Sequence, residues 1–313
     1  MNSRYRKVAS LSMLVVAAIL WAAINTILKH VGQTNLHPVG VSCLLYVSAL
    51  SVLVPAHVVL RNRHTGGLKP LLFFRPANLA AGLSKACETL FFVYAVRAIS
   101  ATHATMLTKM SPVWVYLILV IFFRVKLRMV QLLGVACAVA GVAILLGGAG
   151  TLRRLGEGTA LGAVFAILSG LSFACFSVVL KKAPSFQSSL SARDRLQSTV
   201  TFLGSALLFM LPLGIIFLPS RVPRFTDCLW IYIAGSVFTG SAYFLYYTAL
   251  TQLSSLLAVV MLSLIVVFTM LFEHCFLGIA TLTPAFAAGA AAIVLGVLFV
   301  LTGDNVKSSK AGI

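Results

Sequence analysis

The sequence predicts an all-α integral membrane protein with ten transmembrane helices, arranged as two inverted five-helix repeats. Three observations lead to this fold class: the composition, the recurrence of long apolar runs, and an internal similarity between the two halves. The 313 residues are 60% hydrophobic and only 10% charged, with a mean hydropathy of +1.03. Soluble domains contain roughly 45–50% apolar residues. Lipid is therefore the expected solvent of this chain.

Apolar runs of about 20 residues recur from end to end, and each is long enough to cross a hydrocarbon core of about 30 Å. The ten runs are 8–28, 39–60, 77–97, 100–123, 128–148, 159–180, 196–218, 228–250, 253–277 and 281–302. The first run lacks a small-residue cleavage site, which favours a spanning helix over a removed signal peptide. Residues 61–76 and 181–195 are predicted to be loops or interfacial segments.

Basic residues concentrate in alternate connections. Sixteen of the 24 Lys and Arg residues lie before the first run, in segments 61–76, 124–128 and 181–195, or after the last run; six lie in the other connections. This asymmetry follows the positive-inside rule and predicts that both termini are cytoplasmic. It also accounts for most of the formal charge of +18 without a nucleic-acid partner, since no soluble surface is left to bind one.

The chain repeats itself at offsets of 152 to 155 residues. WAAINTILK (21–29) matches FACFSVVLK (173–181), and AVRAISA (95–101) matches ALTQLSS (249–255). The glycine-rich fifth run, GVACAVAGVAILLGG (134–148), matches GAAAIVLGVLFVLTG (289–303) with three glycines of each in register. Glycines at this heptad spacing lie on one helix face and allow two helices in lipid to approach closely.

Each repeat contains five helices, so the second copy enters the membrane from the opposite side. We divide the chain into repeats 1–150 and 151–313. Inverted repeats are typical of proteins whose two halves enclose a site near the bilayer midplane and alternate its exposure. Helices 1, 3, 4, 6, 8 and 9 are predicted to line such a central cavity.

Three charged residues fall near the middle of apolar runs. Lys85 lies roughly 12 Å into the third run, at 1.5 Å per residue, and Lys109 lies at a similar depth in the oppositely directed fourth run. Glu88 is one turn beyond Lys85, on the same helix face. Because lipid-exposed charge costs at least about 2.5–3.5 kcal/mol per residue, all three must face a polar interior.

Lys109 has no acid within a turn on its own helix. Its surroundings, TMLTKMSPVW (105–114), include Ser111 and Pro112, and a proline frees a backbone carbonyl and breaks or kinks the helix. The matching stretch LSLIVVF (262–268) has no proline. Glu88 is able to pair with either lysine, leaving the other for substrate. In both cases the site carries a net charge of +1, which favours a carboxylate or a phosphate.

Aromatic and small polar side chains supply the other candidate substrate-binding residues. The predicted aromatic walls are Trp21, Tyr94, Trp114, Tyr116, Phe173, Tyr243, Tyr246 and Tyr247. The polar candidates are Ser111 together with Asn25 and Ser177, which are matched at offset 152. Glu273 and His274 are predicted near the outer end of the ninth helix.

Several classes of function are disfavoured. The six cysteines are scattered singly, with no CxxC or Cys/His spacing for a metal site, so no metal and no cofactor are predicted. The sequence has no HExxH, phosphate-binding loop or paired carboxylates, and six acids leave little for acid–base catalysis. An enzyme and a nucleotide-driven pump are thus not expected.

The ten-helix inverted duplication resembles the EamA-type members of the drug/metabolite transporter superfamily, over roughly residues 8–303. The resemblance includes Trp21, Asn25 and Lys29 of the first helix, Ser111-Pro112, and the glycine-rich fifth and tenth helices. It departs at the ends of the fourth and ninth helices, where the family often has a glutamate and this chain has Val125 and Ile279 or Ala280.

The resemblance and the charged site imply a secondary transporter that moves a small polar organic metabolite, anionic or zwitterionic, across a bacterial inner membrane by alternating access. Two alternatives stay open: an exchanger of a nucleotide-like metabolite or cofactor, and a lipid flippase or non-transporting membrane partner. The expected partners are the small-molecule substrate and the lipid bilayer. A homodimer is left open.

Overall fold

The computed structural model of the chain describes residues 3–31, 36–62, 76–125, 128–148, 157–182, 191–217, 224–278 and 283–310. Within these ranges all regular structure is helical, with thirteen α-helices and two π-helical segments. The α-helices are α1 (Ser3–Val31), α2 (Pro38–Asn62), α3 (Pro76–Ala98), α4 (Ala101–Thr108), α5 (Ser111–Ile121), α6 (Met129–Gly148), α7 (Glu157–Lys182), α8 (Ala192–Ile216), α9 (Phe225–Ile233), α10 (Gly240–Leu250), α11 (Ser255–Met261), α12 (Leu264–Phe272) and α13 (Pro284–Lys310).

These elements account for the ten predicted helices and confirm the all-α membrane fold. In the described ranges, nine helices are long and apolar enough to cross a membrane, and the shorter apolar stretch Met129–Ile144 of α6 makes a tenth. The fourth span, Ala101–Ile121, comprises α4 and α5. The eighth span, Phe225–Leu250, joins α9 to α10 through a π-helical segment, and the ninth span, Ser255–Leu277, comprises α11, α12 and a second π-helical segment.

The packing of α6 against α13 shows the inversion directly, because these are the corresponding helices of the two repeats. A Cβ atom added at Gly141 would lie 2.6 Å from the Gly289 carbonyl oxygen, and one added at Gly134 would lie 2.7 Å from the Gly296 carbonyl oxygen. Contacts therefore move backwards along α13 as they move forwards along α6. Corresponding helices run antiparallel, as inverted repeats require.

The fourth and ninth spans are both broken near their middles. Between α4 and α5, the Lys109 N–H donates to the carbonyls of Thr105 and Met106, and the next helix begins at Ser111-Pro112. Between α11 and α12, Ser263 N–H donates to the carbonyl of Val260. The second break has no proline, so it was not expected from the sequence.

Two repeat-related lysines cap helix ends. The Lys29 ammonium donates to the carbonyls of Val96 and Ile99, at 3.2 and 3.1 Å, where α3 ends. At offset 152 along the chain, Lys181 donates to the carbonyl of Leu250 at 2.9 Å and to that of Leu253, where α10 ends. A lysine that satisfies the last carbonyls of a helix also complements the negative end of its dipole. Lys29 and Lys181 thus stabilise the ends of α3 and α10.

Two sequence predictions need adjustment or stay open. The seventh predicted run began at 196, but α8 begins at Ala192, because Ser191 and Asp194 form a capping box that extends the helix by a turn. The repeat boundary at residue 150 falls in 149–156, outside the described residues, and stays a prediction. The predicted loops lie largely outside them too, at 63–75 and 183–190.

Candidate functional site

Two small adjoining cavities lie where the two repeats meet. Their volumes are about 40 and about 50 Å³. Five side chains line both: Trp21, Asn25, Glu88, Phe92 and Tyr243. We call the two together the central cavity. Its walls come from the first, third, fourth, sixth, eighth and ninth spans, which the sequence predicts, and also from the second span, which contributes Leu45 and Tyr46.

Lys85 and Glu88 form an ion pair at the wall of this cavity. It is the only ion pair among the described residues, and Lys85 is only 2% exposed. The Lys85 ammonium also donates to Thr89 Oγ1 at 2.7 Å and lies 4.6 Å from the centre of the Tyr243 ring. Tyr46 OH donates to the Lys85 carbonyl at 3.0 Å. A paired and hydrogen-bonded charge is the form in which a lysine persists in an apolar interior.

Lys109 lies at the break of the fourth span and lines the same cavity. It is 7% exposed, and its ammonium lies 5.0 Å from the centre of the Phe173 ring, a cation–π contact. Within the described ranges no carboxylate lies within salt-bridge distance of it. The sequence left open which lysine Glu88 neutralises; in the structure it is Lys85. Glu88 therefore leaves Lys109 available to another partner.

Asn25 links three spans across the cavity. Its Nδ2 donates to Thr105 Oγ1 at 2.9 Å and to Thr269 Oγ1 at 3.4 Å. These contacts join α1 to α4 and α12, one helix from each broken span. Because Asn25 is buried and lines both parts of the cavity, its amide is placed to exchange these bonds for bonds to a polar ligand.

Aromatic rings form the remaining wall. The Trp21 ring packs edge-on against Phe173, Tyr243 and Tyr246, with ring centres 6.3, 4.9 and 5.6 Å apart. Tyr246 lies one layer behind the cavity, where its hydroxyl donates to Ser177 Oγ at 2.8 Å. Tyr246 and Ser177 support the aromatic wall and do not line the cavity in this conformation.

Four other predicted site residues also lie away from the central cavity. Tyr94 packs on His37 and Phe165, since a position six residues beyond Glu88 points to a different face of α3. Tyr247 packs on Phe202, and Trp114 is partly buried against the core. Ser111 is fully buried at the start of α5. Their role in binding stays a prediction.

Several cavity residues were missed in the sequence. They are Ile24, Leu28, Leu45, Tyr46, Thr89, Phe92, Thr105, Thr108, Thr239 and Ile265. Helical spacing is a signal for three of them. Thr89 follows Lys85 by four residues, Phe92 follows Glu88 by four, and Thr105 precedes Lys109 by four, so each shares a face with a charged residue. Tyr46 and Ile265 carry no such signal, because only the packing of their helices brings them to the site.

Comparisons with known proteins agree with this architecture. Twenty-eight chains of solved structures match this chain significantly. One is a crystal structure that covers 95% of this chain and 97% of its own, with a TM-score of 0.71 and 17% sequence identity. At that identity the likeness shows the fold alone. No curated protein matches the sequence significantly.

The family comparison addresses each half of the chain separately. Residues 9–147 and residues 160–302 each match the EamA-like transporter family. The two matches include the helices of both repeats and every wall of the central cavity. The chain therefore belongs to the EamA-like transporter family, and it is a multi-pass membrane transporter of the drug/metabolite superfamily.

Proposed function

We propose that the protein is a secondary transporter that moves a small anionic or zwitterionic organic metabolite by alternating access. The observation that carries the proposal is Lys109, a buried lysine at the cavity wall with no acidic partner among the described residues. With both lysines protonated, Lys85, Glu88 and Lys109 together carry a net charge of +1. A carboxylate or phosphate neutralises that charge and forms charge-assisted hydrogen bonds with the ammonium.

The rest of the cavity suits the remainder of such a molecule. Trp21, Phe173 and Tyr243 offer aromatic surface to an apolar or ring-containing part. Glu88 lines both parts of the cavity, so its carboxylate is available to the amino group of a zwitterion. Asn25 supplies both a donor and an acceptor.

The size of the cavity supports a transport cycle with a change of conformation. Pockets that hold drug-sized ligands have volumes of about 300–1,000 Å³, whereas the two parts of this cavity measure about 40 and 50 Å³. A metabolite fits only if helices separate. The fourth and ninth spans, broken beside the cavity, are suited to bend there, since discontinuous helices at a midplane site are typical of inverted-repeat transporters.

Ligand screening tests the function. The purified protein is heated in the presence of a panel of amino acids, carboxylates, phosphates and organic cations, and a ligand that binds only the folded state raises the unfolding temperature. Stabilisation by cations alone would contradict the proposal. Uptake of the stabilising compound into liposomes that contain only this protein would then separate a transporter from a non-transporting membrane partner.

Lys109→Met is expected to lower uptake of the anionic ligand at least about tenfold, the value of one charged contact. Folded yield should not fall, because the substitution removes a charge that is costly to bury. Lys7→Met, which removes a lysine at the far end of α1, is the matched control and should transport normally. Full activity of Lys109→Met would show that this lysine is structural and that the substrate is not selected by its negative charge.

We further propose that both termini are cytoplasmic and that the membrane is a bacterial inner membrane. Single cysteines placed at residues 4 and 310 of a cysteine-free protein should not react with an impermeant thiol reagent added outside intact cells. Both should react in inverted vesicles. Labelling of either cysteine from outside would overturn the topology that the basic asymmetry predicts.

A further inference from the structure

Each repeat caps its helix ends in the same way, and the two sets of caps lie at opposite ends of the bundle. At one end, Lys29 caps α3 and the Ser100 hydroxyl caps α4 by accepting from the His103 N–H at 3.1 Å. At the other end, Lys181 caps α10 and the Ser254 hydroxyl caps α11 by accepting from the Leu257 N–H at 3.2 Å. Ser100 and Ser254 correspond at offset 154. The turns between spans 3 and 4 and between spans 8 and 9 are thus built alike.

One carboxylate breaks this symmetry. Glu273, at the end of the ninth span, is 1% exposed and accepts from the first N–H groups of α4: Oε1 from Ala101 at 3.1 Å and Oε2 from Thr102 at 3.1 Å. The Thr102 hydroxyl also donates to Oε2, and the Lys29 ammonium attracts the carboxylate. A carboxylate at a helix N-terminus is stabilised both by hydrogen bonds and by the helix dipole. These bonds tie the ninth span to the fourth.

At the opposite end of the bundle, the positions equivalent to Glu273 have no side chain that could form these hydrogen bonds. Offsets of 153, 154 and 155 relate Glu273 to Val120, Leu119 and Ile118, all of them apolar. None of these side chains is able to accept a hydrogen bond from the first N–H groups of α11. Among the described residues, a carboxylate bond of this kind between the broken spans is therefore present at one end of the bundle only. We call the end that contains Glu273 the latch end; in the topology proposed above it is the outer end.

We propose that Glu273 is a one-sided latch that closes the central cavity at the latch end and biases the transporter towards opening at the opposite end. The proposal rests on the alternating access of the proposed function. Opening at the latch end must separate α4 from the end of the ninth span, so it breaks every bond that Glu273 makes. Opening at the opposite end breaks none of them. An interaction made in one state only shifts the population towards that state.

Site-directed labelling tests the latch without any substrate. The six native cysteines are replaced, and Thr108→Cys, in the cavity wall, reports access of a charged, membrane-impermeant methanethiosulfonate added from one side at a time. Glu273→Gln, which removes the charge and one acceptor, should raise the labelling rate from the latch end about tenfold and lower it from the opposite end. Asp227→Asn, an acid-to-amide change in α9 at the same end, is the matched control and should alter neither rate.

Opposite changes at the two ends support the latch. Equal rises from both ends would mean general loosening, and an unchanged rate from the latch end would mean that Glu273 does not hold the closed state; either result overturns the proposal. If Glu273→Gln does not fold, Thr102→Val removes only the hydroxyl donor and should give a smaller change in the same directions. Because labelling needs no substrate, it stays informative even if no anion is transported.

Discussion

Glu88→Gln is expected to reduce the free energy of unfolding by about 3–5 kcal/mol, the usual effect of removing one partner of a buried ion pair. Lys85 is 2% exposed, and its only ion-pair partner among the described residues is Glu88. An amide still accepts a hydrogen bond, but it does not neutralise the ammonium. The variant must bury an uncompensated charge or release the proton of Lys85, and both lower stability.

The measurement is the yield of monodisperse protein and its thermal unfolding in lipid nanodiscs. The control is the double variant Lys85→Met/Glu88→Gln, which removes both charges and should recover most of the lost stability, because an apolar replacement of a buried pair is often neutral. A Glu88→Gln protein as stable as the parent would show that the pair does not hold α3 in place.

Gly141→Ala is expected to destabilise the fold by about 3 kcal/mol, at the upper end of overpacking effects. The new Cβ would lie 2.6 Å from the Gly289 carbonyl oxygen and 2.9 Å from the Ile293 backbone nitrogen. Neither backbone atom is able to rotate away as a side chain would. Helices α6 and α13 must therefore separate along their whole interface, which joins the two repeats.

Gly40→Ala in α2 is the matched control, because nothing lies within 4 Å of the Cβ it would add. It should be neutral or stabilising, since alanine is preferred over glycine in a helix by about 0.8–1.0 kcal/mol. Thermal unfolding of both variants in the same nanodiscs makes the comparison. If both lose the same stability, the close approach of α6 and α13 is not what the glycine serves.

The residue types of the site could be predicted from the sequence, but the contacts between those residues could not. Trp21, Asn25, Lys85, Glu88 and Lys109 stand out in the sequence because charge, amide and indole groups are conspicuous inside apolar runs, and all five line the central cavity. Their function as binding residues stays a prediction. Which lysine pairs with Glu88 was not predictable, because the rotation of α3 relative to the fourth span depends on contacts along the entire interface.

The membrane fold and the repeat follow from the sequence because each depends on a local property. A run of about 20 apolar residues must span the bilayer as a helix, since the backbone finds no other hydrogen-bond partners in lipid, and an odd number of such runs per repeat inverts the second copy. The hydrogen bonds of Glu273 depend instead on partners far away in the chain. Glu273 accepts hydrogen bonds from the first residues of α4, which lie 171 and 172 positions earlier in the chain. No local sequence pattern indicates that contact, because only the antiparallel packing of the two repeats brings the fourth and ninth spans together.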